Sequence, residues 1–168
     1  MSKKTEAKSD PESEVIDLRG ALEMVGEDWR FMVELMGDME ATLKTARDSM
    51  IQSVKDDDNK TYFEQAHLVK GVALNLHLNA LVKVSREAEA IGKFLCRDKI
   101  PHKEGTVQGT ADELRKFLAS TDEDVVRKAR PVWIEKLIKE QKRFEDILPD
   151  LHKQAAEHIK EEDEQTDA

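Results

Sequence analysis

The apolar residues of this chain recur at spacings of three and four, and that periodicity narrows the possible folds more than any other feature of the sequence. Phe31, Met32, Leu35, Met39, Leu43, Ala46, Met50 and Val54 trace one such stripe, as expected of an amphipathic helix that turns about 100° per residue. Similar stripes follow, separated by polar or Gly/Pro punctuation, and no repeat of fixed period connects them. With 39% hydrophobic and 38% charged residues and only 7 Gly and 4 Pro, each helix carries a narrow apolar face and a heavily solvated remainder. A length of 168 residues suits one domain with one core. The expected fold class is all-α.

Charge removes further classes. The formal net charge is -9 and no Lys/Arg block stands free of acids, so no surface tracks nucleic-acid phosphates. No apolar run of about 18 residues exists, and residues 1–14 are polar, so neither a membrane span nor a secretory signal is expected. Cys96, the one cysteine, has no partner for an internal disulfide and agrees with a reducing compartment. The expected location is the cytosol and, in a nucleated cell, the nucleus as well.

Residues 1–13 read as a disordered tail, as does the acidic end over 161–168, with a single helical domain at 14–160 between them. Val15, Ile16, Leu18, Ala21, Leu22 and Val25 predict a short first helix that stops at Gly26, a lid more than a full bundle member. Glu27 and Asp28 favour the start of a long second helix through its dipole. Asp58 or Asn59 is available to cap a third over 62–76. Leu78, Leu81, Val82, Val84, Ala88, Ile91 and Leu95 make a fourth, ending at Cys96. The stretch 97–124, with Pro101, Gly105 and Gly109, reads as an insertion in which Thr110 to Glu113 matches a capping box and opens a short helix ending near Ser120. Thr121 is placed to cap the last long helix, expected over 125–160 with a stripe of Ala129, Trp133, Leu137, Phe144, Leu148 and Leu151. Pro149 lacks an amide hydrogen and should kink or divide that helix.

The chemistry-bearing segment is Phe63 to Leu76. On a helical wheel Ala66, Val69, Val72, Ala73 and Leu76 gather on one side and His67 points nearly opposite, so its imidazole should face out of the core. Lys70 follows at i+3 and Gly71 at i+4 on the same face. A neutral imidazole nitrogen is a competent nucleophile, a nearby ammonium offsets charge on a transferred phosphoryl group, and a residue without a side chain leaves room for a partner to approach. Phosphoryl transfer needs in-line positioning and electrostatic support more than covalent help, so one exposed nitrogen on a rigid helix suffices. Taken as pattern alone, a surface His three residues before a Lys is ordinary.

Ala66-His67-Leu68-Val69-Lys70-Gly71 resembles the Ala-His-x-Leu-Lys-Gly signature of the histidine phosphotransfer (HPt) family, with Val69 where Leu is usual. Upstream, Ile16 to Asp28 resembles the short opening helix and Gly-Asp turn that precede the family's bundle, and Ala73, Leu76, Leu81 and the Glu87 to Glu89 region fall where its helical hairpin continues. The resemblance covers residues 15–94. It implies an antiparallel four-helix bundle, HPt-like, preceded by the short N-terminal helix; the inserted short helix before the last long one departs from the family, since 97–124 is longer than its minimal connection. It also implies that His67 is phosphorylated on a ring nitrogen by a receiver aspartyl phosphate and hands the group to another receiver, with Lys70 in support and Gly71 clearing the approach. In such relays the receiver supplies the catalytic carboxylates and Mg²⁺, so no cofactor or metal of this chain's own is expected and the chain is a phosphocarrier, not an enzyme that turns over alone. The implied partners are receiver domains of hybrid histidine kinases and of response regulators, engaged by a monomer. Where the family often has Gly after the apolar residue that closes the signature, this chain has His77.

An apolar docking patch is expected from Leu18, Met24 and Val25 together with Phe63 and Leu74, which flank His67 at i−4 and i+7; the other reading is that some of these pack the short helix onto the bundle. His77 lacks the Lys-Gly pair and reads as solvent-exposed or capping. His152 and His158, six apart, do not stack as a metal pair. Cys96 reads as a packed thiol, and Trp29, Trp133 and Tyr62 as core or rim. The serious alternative function is a helical adaptor that binds receiver or other signalling proteins without phosphorylation. A helical-bundle hydrolase would need clustered Glu-x-x-His ligands on facing helices, and they are absent.

Overall fold

The computed structural model describes residues 15–96, 118 and 121–166. They form helices only: α1 (Leu18–Met24), α2 (Trp29–Lys55), α3 (Asn59–Asn75), α4 (Asn79–Leu95) and α5 (Glu123–Thr166). The four long helices form a bundle in which α3 lies between α2 and α4, and α5 lies against both α2 and α4. Polar pairs give the sense of each helix. Arg130 of α5 meets Asn59 at the end of the α2–α3 turn, Gln141 donates to the Leu43 carbonyl, and Arg30 near the start of α2 meets Asp163. α5 thus runs antiparallel to α2. Trp133 donates to Glu87, and short turns reverse the chain between α2, α3 and α4, which completes an up-down-up-down bundle.

Those turns share one design. After α1, α2 and α3 the backbone turns left-handed, at Gly26 (φ 65°) and Glu27 (59°) after α1, at Asp57 (51°) after α2 and at His77 (53°) after α3. At each, two amides reach back to the helix they leave. Gly26 and Glu27 donate to Glu23 and Leu22, Asp57 and Asp58 to Val54 and Ser53, and His77 and Leu78 to Leu74 and Ala73. This double closure satisfies carbonyls that a helix end would otherwise leave bare. His77 therefore takes the conformation that Gly would take there with least strain; Asp and His are among the side chains that tolerate it.

Starts are equally specified. Asp17, Asp28 and Asp58 cap α1, α2 and α3 by accepting the amides of Gly20, Phe31 and Thr61. The core behind them holds Met32, Met36, Leu43, Ala46, Met50, Tyr62, Val69, Leu76, Leu81, Ile91, Leu137 and Phe144. α1 seats Ala21 against this core and is pinned to the α3–α4 turn, where the Asp17 amide donates to the His77 carbonyl.

Several expectations are corrected. Phe31, read as part of the α2 stripe, is exposed: the face of α2 buried in its first turns runs through Trp29, Met32 and Met36, and Phe31 lies off it. α5 begins at Glu123 and ends at Thr166, where 125–160 was expected. At its start the Asp122 side chain accepts the Asp124 amide at 3.0 Å, next to Thr121, the residue expected to cap. Its acidic end, read as a disordered tail, is helical through Thr166 because Glu is a good helix former and because Trp29 stacks on His158 while Arg30 pairs with Asp163 at 2.6 Å. The helix also continues through Pro149 and Pro131. Both rings lie on the exposed face; the Arg127 carbonyl, one turn before Pro131 and so without a helix amide, accepts Arg130 Nε at 2.9 Å instead. Of the expected insertion, Leu118 is helical and buried in the core; 97–117 and the capping box at Thr110 to Glu113 lie outside the described residues, as does the tail 1–13. Among the described residues no helix is long and apolar enough to cross a membrane.

The Asp58 cap gives a pH-dependent test. The Thr61 hydroxyl, 2.6 Å away, and then the Thr61 amide hold the Asp58 carboxyl below its ordinary 3.8. A depressed carboxyl stabilises the fold fully above its unfolded value and loses that contribution as pH falls through the folded one. Asp58→Ala is expected to cost at most about 1 kcal/mol at neutral pH, given the exposure of the site. In urea melts the gap to wild type should close as the solution is acidified below the ordinary carboxyl range. A gap that persists undiminished in strong acid would show that the ionised cap is not its source.

Candidate functional site

α3 presents two chemically different faces along its 17 residues. Tyr62, Ala66, Val69, Val72 and Ala73 are buried, and His67, at mid-helix on the other side, leaves 63% of its side chain exposed. The imidazole is not free to rotate. Its Nδ1 lies 3.1 Å from Oε1 of Glu89, which reaches across from α4. Phe63, one turn earlier, stacks against it with ring centroids 6.3 Å apart and planes inclined by 27°.

The second Glu89 oxygen, Oε2, faces Lys70, whose ammonium is 2.6 Å away. The contact is a full ion pair by distance, although its angle falls short of a formed hydrogen bond. Only 17% of the Glu89 side chain and 21% of the Lys70 side chain are exposed, so water screens this pair less than the surface pairs nearby, such as Lys60–Glu64 at 3.8 Å. One carboxylate thus serves two donors. An ionised carboxylate can only accept hydrogen bonds, so its contact with His67 assigns the ring proton to Nδ1 and makes Nε2 the nitrogen with the free lone pair.

Glu89 reaches α3 because the two helices approach closely one turn further along α4. A Cβ placed on Gly92 would stand 2.9 Å from both Cα and Cβ of Phe63 and 3.0 Å from the Tyr62 ring. No other residue fits there without moving backbone. Gly71 is different in kind: a Cβ there would meet nothing within 4 Å. The space beside His67, one turn toward the C-terminus of α3, is open.

The structure brings His67, Lys70, Gly71 and Phe63 onto one face. Leu74, on the same side of α3, is exposed, as is Leu68 beside His67, which the sequence reading did not single out. Of the residues expected from the first helix, Met24 is exposed, while Leu18 and Val25 are half-buried and pack against the core; for those two the packing reading accounts for the side chain. Met24 meets the α3–α4 turn through His77, and Leu18 faces Ile147, Asp150 and Leu151 of α5 across a shallow cleft. His77, expected to be exposed or capping, caps the turn and is half-buried, with Nε2 2.8 Å from the Met24 sulfur and Nδ1 3.6 Å from the Asp17 carboxylate. Tyr62 is in the core, where burial pushes its phenol far above the ordinary range. Cys96 is buried. Among the described residues no three His, Cys, Asp or Glu side chains gather in a way that would hold a metal ion.

No protein-family model, curated protein or solved structure matches the chain.

Two outcomes follow from this geometry. In ¹H–¹⁵N long-range correlation spectra of the neutral imidazole, His67 should be in the Nδ1–H form, and Glu89→Leu should shift it toward the Nε2–H form that free histidine prefers. An Nε2–H tautomer in the wild type would show that Glu89 does not hold the ring. Gly92→Ala should destabilise the chain by about 1 kcal/mol net, since overpacking against backbone costs about 1–3 kcal/mol and Ala recovers about 1 kcal/mol in helix propensity. Its thermal melt should fall and its Nδ1–H population with it, because α4 is pushed away from α3.

Proposed function

We propose that this chain is a histidine phosphotransfer protein, in which His67 accepts a phosphoryl group from the aspartyl phosphate of one receiver domain and passes it to another. The observation that carries this reading is the combination of an oriented, exposed imidazole with unobstructed space beside it. His67 projects from the middle of a rigid helix with Nδ1 turned to Glu89, which leaves Nε2 as the nucleophilic nitrogen of the neutral ring, and Gly71 keeps the approach open. Gly37 on α2 is equally open, so openness alone does not distinguish Gly71; its place one turn from His67 on the same face does. The match of Ala66 to Gly71 to the family signature supports the same reading.

In the transfer step the Nε2 lone pair attacks phosphorus in line with the bond to the receiver's carboxylate oxygen. The N–P bond forms as that P–O bond breaks, and its electron pair leaves on the aspartate. No proton need move, because Nε2 carries none. Lys70 stands one turn away to offset charge on the phosphoryl oxygens. The carboxylates and Mg²⁺ of the step belong to the receiver, so the chain acts as a carrier and needs a separate donor and acceptor. Phe63, Leu68 and Leu74 form the apolar rim that such a partner would cover. Met24 extends the surface at the turn end of the bundle. Receiver domains of hybrid kinases and response regulators meet such a carrier in the cytosol or nucleus.

The direct test incubates pre-phosphorylated receiver domains with the wild-type chain and with His67→Gln and follows acid-labile label by intact mass. Label on the wild type that vanishes in the variant is expected; no label from any donor, with receiver binding intact, would leave a phosphorylation-independent adaptor. Gly71→Ala separates function from stability. With no clash to relieve, it should stabilise the chain by about 1 kcal/mol through helix propensity and yet slow transfer tenfold or more. A stabilised variant that transfers at the wild-type rate would falsify the clearance role.

A further inference from the structure

Once Nε2 carries a phosphoryl group, the proton on Nδ1 decides how readily the P–N bond breaks. With Nδ1–H in place the ring is an imidazolium, and it leaves as neutral imidazole when the N–P electron pair returns to Nε2. Without that proton the leaving group is an imidazolate anion, which departs poorly. We infer that Glu89 is a positioning residue that retains the Nδ1 proton throughout the cycle and so holds phospho-His67 in its transferable form. The inference rests on His67 being the phosphorylated residue.

Atoms and charges balance without a proton acceptor in the site. Nε2 attack turns a neutral Nδ1–H imidazole into a phosphoimidazolium, and the new positive charge appears on the ring that lies 3.1 Å from the Glu89 carboxylate. Loss of the N–P bond to a carboxylate or to water restores the neutral Nδ1–H ring. Glu89 accepts the same hydrogen bond before and after, and its attraction to the ring is strongest in the charged state between.

The surrounding charges do not cancel this effect. On α3, Lys70 binds the other Glu89 oxygen and so attenuates the carboxylate without displacing it from the ring, and Glu64 is engaged toward Lys60 one turn upstream. On α4, Arg86 and Lys93 lie about one turn to either side of Glu89. From α2, no described carboxylate or ammonium pairs with His67 or Lys70. Among the described residues Glu89 is the carboxylate within ion-pair reach of the His67 ring.

The test uses the full chain phosphorylated by phosphoramidate, a small-molecule donor that labels exposed imidazoles without a receiver domain; His67→Gln provides the blank for the other histidines. Hydrolysis of the label is followed against pH for the wild type and for Glu89→Gln, which keeps an acceptor oxygen and loses the charge. The midpoint of the variant's pH–rate profile should lie about one unit lower, so that near neutral pH its phosphoryl group survives up to about tenfold longer. Superimposable profiles, with circular dichroism showing both proteins folded, would overturn the inference. A second measurement needs no variant: the Nδ1 resonance of ¹⁵N-labelled phosphorylated wild type should remain that of a protonated nitrogen to higher pH than in phosphohistidine itself, and an equal or lower midpoint would overturn it too. Hydrolysis to water involves no partner, so a failure of receivers to transfer sinks the relay reading and leaves these profiles standing.

Discussion

The spacing between α3 and α4 at Gly92 governs what the His67 imidazole can do. A histidine on the exposed face of a helix would ordinarily sample several rotamers and favour the Nε2–H tautomer, which hides the more accessible lone pair. Here the two backbones approach until a single methyl group would collide with the Phe63 main chain, and from that distance a carboxylate three residues earlier on α4 reaches Nδ1 and Lys70 together. Orientation, tautomer and local charge thus descend from one packing contact. A bundle with a wider gap would keep the same surface residues and lose the arrangement.

That contact needs α3 and α4 held in register, which the turn between them provides. His77 occupies the left-handed position, its amide and that of Leu78 close the end of α3, its carbonyl receives α1, and its ring lies against Met24 and Asp17. Leu78, fully inside the core, starts α4 with no side-chain cap. The turn is therefore specified by backbone closure and burial where the α2–α3 turn is specified by the Asp58 carboxylate. At the opposite end of the bundle a buried arginine has the corresponding job: Arg130 spans from Asn59 to Asp57 and the Arg127 carbonyl, tying the α2–α3 turn to α5. A charge this buried is tolerated because Nη1 meets both Asn59 and the Asp57 carboxylate and Nε donates to the Arg127 carbonyl.

The order of the long helices and the outward face of His67 were legible from the spacing of apolar residues; the start of α2 was read from the charge of Glu27 and Asp28 rather than from Asp28 as a cap, and Asp58 was one of two caps offered for α3. The seam of α5 was misread by one position in its first turns. Its buried stripe runs Val126, Arg130, Ile134, Leu137, Gln141, Phe144, Leu148, Leu151, Ala155, an unbroken alternation of three and four after Arg130, but two members are polar. A reading by hydrophobicity prefers Ala129 and Trp133, which flank the seam. Pro149, expected to kink or divide the helix, does not divide it; its ring falls on the exposed side, a wheel position that depends on the same seam. Glu89 was beyond reach for another reason. Its role depends on how α4 is turned and how close it lies to α3, quantities that no pattern within one helix carries; Gly92, an interior helix glycine without a turn to make, was the one local sign of a close approach.

Charge at the site is close to balanced, and for a carrier that has a physical use. On a chain of net charge -9, an unpaired Lys70 beside His67 would attract any phosphate-like anion and would hold a newly arrived phosphoryl group firmly. Paired with Glu89 at 2.6 Å, the ammonium has to divide its interaction between the carboxylate and the phosphoryl oxygens, so the phosphorylated state gains only part of the stabilisation that a free lysine would supply. The same carboxylate favours the protonated ring, which weakens the bond to phosphorus further. Both effects act on the bound state and neither obstructs entry, because Nε2 and the space over Gly71 stay open. In the proposed relay, a group that must leave as readily as it came is better served by this compromise than by a stronger anion site.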